Sequence, residues 1–220
     1  MIIFNSHKAL EIIKPFLSDN PIIVEAGAFD GQDTKKMALQ WPNGIIHAFE
    51  PVAEIYERLL KNTSMLNNVH QYPLALSDHT GISEFYVSEK PNKPGIASQA
   101  GSLHKPKGRL KHSPLIFPRM ATVQTIMLDQ WADENGIRAI DLLWLDTQGH
   151  ELAILQAALK MIDHIKVIFA EVSFIESYEG QPLYQDVVAW MAEHNFEQVG
   201  RDFVDETKSF FGNALFVRRF

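Results

Sequence analysis

Four short apolar runs, each closed by an acid, constrain this chain more than any other feature: IIVE (22–25), IIHAFE (45–50), LLWLD (142–146) and IKVIFAE (165–171). Runs this short and this rich in Ile, Val and Leu read as strands covered on both faces. Amphipathic stretches lie between them. In Ala53–Asn62, Ile55, Leu59 and Leu60 fall on one helical face. Strands alternating with such helices imply an α/β architecture with a parallel sheet.

The same reading predicts a leading helix near Lys8–Leu17 and further helices over Asp33–Gln40, Leu128–Asn135, Glu151–Leu159 and Tyr184–His194. Strands are expected at Ile22–Ala26, Ile45–Phe49, Val69–Leu76, Thr122–Ile126, Leu142–Asp146 and Ile165–Glu171, with an added one around Ser83–Val87. Phe196–Gly200 and Ala214–Val217 close the sheet as a hairpin-linked pair, giving about seven main strands. At 220 residues and 46% hydrophobic, the chain is expected to form one domain around a substantial core. Lys90 to Arg119 breaks the rhythm with five prolines and three glycines, and reads as an irregular, lid-like loop.

Composition narrows the function classes. A net charge of −7 argues against a broad phosphate-binding surface, so no nucleic-acid partner is expected. The absence of cysteine removes thiolate zinc sites and disulfides. No apolar stretch approaches the roughly 20 residues of a membrane span, and the first residues lack the order of a secretory signal. The expected location is cytoplasmic, without a membrane partner.

Ligands of open α/β sheets bind beyond the carboxyl ends of the strands, so the strand-ending residues are the candidates. The first strand ends at Glu25 and turns through Gly27-Ala28-Phe29-Asp30-Gly31. A dinucleotide fingerprint needs a second glycine where Phe29 stands, and no Gly-Lys-Ser/Thr of a phosphate loop follows. A ligand with a cationic centre, a small carboxylate and a ribose suits the turn better. Glu25 and Asp30 tolerate the cation, and turn amides take the carboxylate. Glu50, ending the second strand, is placed to accept hydrogen bonds from ribose hydroxyls. Asp78, in ALSD after the third strand, is placed to accept from a purine amine. Taken singly, each has a plain structural reading as a turn cap, a helix start or an Asx turn.

These segments resemble the FkbM-type S-adenosylmethionine-dependent methyltransferases. The resemblance rests on VEAGAFDGQDT, HAFEP, PLALSD with the Gly81 turn, and above all LDQWADENGIRAIDLLWLDTQGHELAILQAAL. It implies a Rossmann-like class I methyltransferase fold, a mostly parallel seven-stranded sheet with an antiparallel last strand and helices on both faces. It also implies S-adenosyl-L-methionine as cofactor and O-methylation of a small hydroxylated substrate such as a sugar. Carried over by position, Glu25, Gly27 and Gly31 line the methionine end, Glu50 the ribose, and Ser77 with Asp78 the adenine. Glu25 stands where the family more often has Asp, and Asp30 where it more often has Asn.

Methyl transfer to oxygen needs an aligned nucleophile, removal of its proton and a site without competing water. His150 is the first candidate base because imidazole titrates near neutral pH, with a first-turn surface histidine as the alternative. Asp146 and Glu171 each end an apolar strand, where a carboxylate must be paired or functional. Two acids without a third ligand do not define a metal site, and none is assigned. In HKPKGRLKH (104–112), His104, Lys105 and Arg109 either belong to a solvated loop or touch an anionic or hydroxyl-rich acceptor. An NAD-binding oxidoreductase and a non-catalytic nucleoside-binding module remain as alternatives to the methyltransferase.

Overall fold

The computed structural model describes residues 1–219. β1 (Ile2–Ile3) and α1 (Ala9–Ile13) precede β2 (Ile22–Ala26), α2 (Gln32–Gln40), β3 (Ile45–Phe49), α3 (Ala53–Thr63) and β4 (Val69–Tyr72). Then come β5 (Ala75–Leu76), β6 (Gly81–Lys90), β7 (Lys93–Ala97), α4 (Arg109–His112), β8 (Ile116–Ile126) and α5 (Leu128–Asn135). The chain closes with β9 (Ile140–Leu145), α6 (Glu151–Ala157), β10 (Ile165–Ser173), α7 (Tyr184–Glu193), β11 (Phe196–Arg201) and β12 (Phe211–Arg218).

The main sheet has the order β1-β11-β12-β10-β9-β2-β3-β4. β12 runs antiparallel to both neighbours, while β10, β9, β2, β3 and β4 are parallel. Side-chain alternation divides the core by face. Leu143 and Leu145 of β9 join Trp131, Leu155 and Met191 beneath α5, α6 and α7. Leu142 and Trp144 of the same strand join Ile13, Met37 and Leu59 beneath α1, α2 and α3. Helices therefore cover both faces, as the apolar runs require. The chain order reverses between β2 and β9, and the crevice opened there at the strand ends is where such sheets hold ligands.

Three expectations are corrected. The main sheet has eight strands because Ile2–Ile3 adds an edge beside β11. Val69–Leu76 is not one strand: Pro73, which has no N–H for a ladder, follows Tyr72, and Ala75–Leu76 pairs with β8 instead. Lys90 to Arg119 is not an irregular lid, since β7 and the start of β8 lie within it. Together β5, β8, β6 and β7 form a second, four-stranded sheet. Val87 and Ala97 of that sheet pack on Val52 and Ile55 of the first α3 turn, which fixes the sheet over the strand ends. Segment 105–109 is likewise fastened, with the amides of Lys107 and Arg109 each 2.9 Å from the Ser177 carbonyl. Among the described residues, no helix is long and apolar enough to cross a membrane.

Candidate active site

The turn after β2 is held by its neighbours on both sides. The Gly27 amide donates to Phe49 O at 3.1 Å, and the Asp146 amide donates to Ala26 O at 3.0 Å. At φ +86°, a Cβ on Gly27 would stand 1.9 Å from the Asp146 carbonyl oxygen. Only glycine lets the β2 turn pass the end of β9 this closely. Gly31 caps the start of α2 at φ +83°, and a Cβ there would stand 2.7 Å from Leu59 Cδ1 of α3.

Two carboxylates flank that turn. Glu25 is buried, accepts from the Thr34 hydroxyl at 2.5 Å, and is pushed up to about 8 by burial. Thr34 carries no strand-end or motif signal, and its role emerges only when α2 packs on β2. Glu50 is also buried and pushed up to about 8, with the amides of Val52 (2.8 Å) and Phe29 as its protein donors. Backbone donors aim this carboxylate without neutralising it. It opens on an apolar cleft of about 590 Å³, counting its open mouth, lined by Phe49, Pro51, Ile55, Leu76 and Phe85 among others. Asp30 borders a second, acidic cleft with Glu25, Asp33 and Asp146.

Asp146 and Glu171 are brought together through a residue to which the sequence assigned no role. Gln148, buried and at φ +56°, donates from Nε2 to Asp146 Oδ1 at 2.7 Å and to Glu171 Oε1 at 2.9 Å. Its Oε1 lies 3.1 Å from the hydroxyl of buried Tyr178. Hydrogens rather than lone pairs thus face both carboxylates, an arrangement for a hydrogen-bonded acid pair and not for a cation. Asp146 opens into the cleft while protein surrounds it elsewhere; that surround raises its carboxyl, and Gln148 opposes the rise. Burial, and then the negative charge of Asp146, raise Glu171 well above the carboxylate range. The two therefore hold a proton between them more readily than two free acids would. Glu151 braces the loop beneath, accepting from the amides of Thr147 (2.7 Å) and Gly149 (3.0 Å), and burial pushes it up to about 7.

His150 does not join this pair. Its Nε2 lies 3.0 Å from Ser77 Oγ and its Nδ1 2.9 Å from His104 Nε2. His104 Nδ1 is 3.1 Å from the Glu179 carbonyl, which can only accept, so that nitrogen carries the hydrogen. With both rings neutral, His150 Nδ1 donates to His104 and its Nε2 is left as an acceptor facing the Ser77 hydroxyl, which also lies 3.1 Å from Asp78 Oδ1. Burial lowers His150 to about 4, which keeps it neutral at pH 7. Both nitrogens face protein groups, so the expectation that His150 is the base gives way to Asp146.

The remaining candidates separate. Ser77 is buried beside His150, whereas Asp78 is exposed, binds His79 Nδ1 at 2.7 Å, and is lowered chiefly by that bond. Lys105 is on the surface, 3.3 Å from Glu179, and His104 belongs to a small side cleft with Ser77, His79 and His150. Of the three expected acceptor contacts, only Arg109 reaches a large cleft, one bounded by Lys90, Lys93, Ile96 and Leu115. That cleft, the apolar cleft and the acidic cleft share two residues, Phe29 and Gln99. Phe29 adopts φ +50°, rare for a bulky residue, with the Arg58 guanidinium 5.0 Å above its ring. Gln99 is exposed at the junction, and nothing in its sequence context singles it out.

Known proteins resemble this chain in sequence and in fold. Residues 25–197 match the family model described as methyltransferase FkbM domain. The chain is similar to 2-O-methyltransferase NoeI of Sinorhizobium fredii (strain NBRC 101917 / NGR234), 30% identical over 175 residues, covering 78% of this chain and 71% of that protein. It is 24% identical over 201 residues to methyltransferase sdnD of Sordaria araneosa, covering 82% of this chain and 75% of the relative. Among solved structures, methyltransferase FkbM from Methylobacillus flagellatus KT superposes with a TM-score of 0.58 at 12% identity, covering 91% of this chain and 44% of that one. Magnesium protoporphyrin IX methyltransferase from Synechocystis PCC 6803, solved with bound SAM, gives 0.52 at 9% identity, covering 95% and 77%. At these identities the structural likeness establishes the fold alone.

Proposed function

Because the chain belongs to the FkbM methyltransferase family, we propose that it moves a methyl group from S-adenosylmethionine to an oxygen of a small hydroxylated molecule, at the junction of its three clefts. The observation that carries this reading is the convergence at Phe29 and Gln99, with Asp146 shared by the apolar and acidic clefts. A displacement between two molecules needs a donor pocket, an acceptor pocket and a base to meet at one point.

The residues suit that donor. Glu50, aimed by backbone amides and with the Arg58 charge nearby, is the partner for two ribose hydroxyls. Phe49, Pro51, Ile55 and Phe85 offer dispersion contacts to a purine. Asp30 and Asp33 give the acidic cleft a charge that matches a sulfonium and an ammonium group, and Glu25, pushed up to about 8 by burial, ionises against such a cation. When bound, the donor supplies a methyl group made electrophilic by positive sulfur.

The chain itself supplies proton removal and alignment. Asp146 Oδ1 is held by Gln148, which leaves Oδ2 to take the proton of the acceptor hydroxyl. Glu171 and Gln148 stabilise the carboxyl as it changes protonation, and the Arg109 charge favours the ionised form of both acids. The second sheet stands over one side of the junction, where a bound donor and acceptor would displace the water to which Gln99 and Asp146 are exposed. The net charge of −7 and the name of the 2-O-methyltransferase relative support a small acceptor methylated on oxygen, with sugars first among those to examine.

Labelled methyl transfer from S-adenosylmethionine to a panel of sugars and phenols, beside calorimetric titration with S-adenosylhomocysteine and NADH, tests this. Stoichiometric S-adenosylhomocysteine binding, no NADH binding and labelled ether products are expected. Absence of S-adenosylhomocysteine binding overturns the reading.

A further inference from the structure

Arg109 is nine-tenths buried, yet among the described residues its guanidinium makes no hydrogen bond and no ion pair. Its Nε is sealed from water with no partner at all. What holds it is the faces of Phe210 and Phe211, at 5.0 and 5.7 Å. Ring faces steady a cation but satisfy none of its five N–H donors, and an unpaired buried charge is costly to keep. The side chain borders the large cleft, which spans about 1420 Å³ counting its open mouth, more than twice the apolar cleft.

The lining of this cleft is unusual for so acidic a chain. Lys90 and Lys93 stand exposed at its mouth without an ion pair among the described residues, and none of its lining residues is Asp or Glu. In a chain with 27 acids and 20 bases, three cations without a direct ion pair around one cleft select for negative charge, beyond the share of the Arg109 charge felt by Asp146 and Glu171. Phe29, Ile96 and Leu115 give the same cleft apolar surface.

Resting on the reading of the cleft junction as a methyl-transfer site, we propose that the acceptor carries an anionic group of carboxylate or phosphate geometry. Arg109 grips it with its planar fork, and Lys90 and Lys93 draw it in. The anion sits in the large cleft, an apolar span away from the hydroxyl presented at Phe29 and Gln99. The donor's own carboxylate is a poorer occupant, because the acidic cleft where the methionine end belongs does not include Arg109 but does include Lys36 and the start of α2.

Ligand-observed NMR on the full chain saturated with S-adenosylhomocysteine separates these cases. The probes are matched pairs: benzoate against benzamide, phenyl phosphate against phenol, and glucuronate against glucose. Binding of at least one anion about ten-fold more tightly than its neutral twin is expected. That preference should vanish in Arg109→Gln, survive in part in Arg109→Lys, and weaken severalfold in Lys90→Ala/Lys93→Ala, whose surface changes leave the fold intact. Equal binding within every pair overturns the proposal, as does a preference that persists in folded Arg109→Gln. If Arg109→Gln instead abolishes S-adenosylhomocysteine binding while wild-type protein shows no anion preference, Arg109 serves the donor and the proposal fails. Failure of wild-type protein to bind S-adenosylhomocysteine would sink the donor reading separately, since the probe pairs can also be read without it.

Discussion

The two sides of the cleft junction are built differently. The side proposed for the ribose and methionine of the donor comes from residues 25–50, two neighbouring parallel strands and the turns that leave them. The side proposed for the acceptor is gathered from Gln99, Arg109, the 146–151 loop, Glu171 and Tyr178, which the chain brings together through a second sheet and a fastened 105–109 segment. The first is local geometry: once β2 pairs with β3, Glu25 and Glu50 must arrive at adjacent strand ends. The second depends on long-range docking, and its chemistry lies in hydrogen bonds between residues such as Gln148 and Glu171, 23 positions apart. A donor site of the first kind tolerates little change, whereas an acceptor site of the second kind can be remodelled by loop substitution without disturbing the donor.

Gly27 is where the two sides touch, so its substitution is the most damaging change available. In Gly27→Ala the new Cβ would meet the Asp146 carbonyl at 1.9 Å, from a backbone conformation that disfavours any side chain. A loss of about 3 kcal/mol or more in stability is expected, with nucleoside affinity and turnover falling together. Thermal unfolding and calorimetry check it. An unchanged midpoint would mean that the sides are not in contact.

Asp146→Asn removes the proposed base but keeps the size of a side chain that borders the apolar and acidic clefts. Turnover should drop by about 10²–10⁴-fold, the usual worth of a positioned general base, while S-adenosylhomocysteine affinity stays within about three-fold of wild type. Glu50→Ala is its mirror image. Here the affinity should weaken by about 2–3 kcal/mol, the range for hydrogen bonds to a charged group, while kcat at saturating donor stays close to wild type. Parallel loss of both quantities in either variant would erase the distinction between the two sides.

What the sequence revealed follows the same division. The strands Ile22–Ala26 and Ile45–Phe49 and the helix Leu128–Asn135 are found where periodicity puts them, because continuous apolar runs leave one register that buries them. Glu25 and Glu50 are readable as strand-ending acids in short segments. Gln148 stood in plain view within DTQGH, but its role depends on a positive φ that turns the amide between two carboxylates, which composition does not encode. His150 looked like a base because its type titrates near neutrality; its partners Ser77 and His104 lie 73 and 46 positions away. Pro73 did mark the break after β4, a signal present in the sequence but outweighed by the apolar residues around it.

The smallest expected effect is on stability against pH, and it tells the two sides apart without an acceptor. Glu25 and Glu50 at about 8 and Glu151 at about 7 bind protons more tightly in the folded chain than in the unfolded one. Their contribution is therefore greatest at low pH and is lost as pH rises toward 8. His47 and His150, both lowered to about 4 chiefly by burial, act in the opposite sense: below about pH 6.5 the unfolded chain takes up protons that the folded one refuses. Above pH 6.5 the histidines are neutral in both states, so only the carboxyls act. With three carboxyls set against two histidines, stability should decline gently from about pH 4.5 to 6.5 and more steeply from pH 6.5 to 8, where the carboxyls act alone, lowering the midpoint by several °C. Glu50→Gln should flatten this alkaline limb. Saturating S-adenosylhomocysteine should flatten it in the wild-type chain too, because ribose hydroxyls stabilise the ionised Glu50 and an ammonium group the ionised Glu25, leaving the share that Glu151 contributes beneath the acceptor loop. A midpoint that stays level from pH 6.5 to 8 would contradict the burial of these carboxyls, and a limb unaffected by the nucleoside would detach Glu50 from the donor.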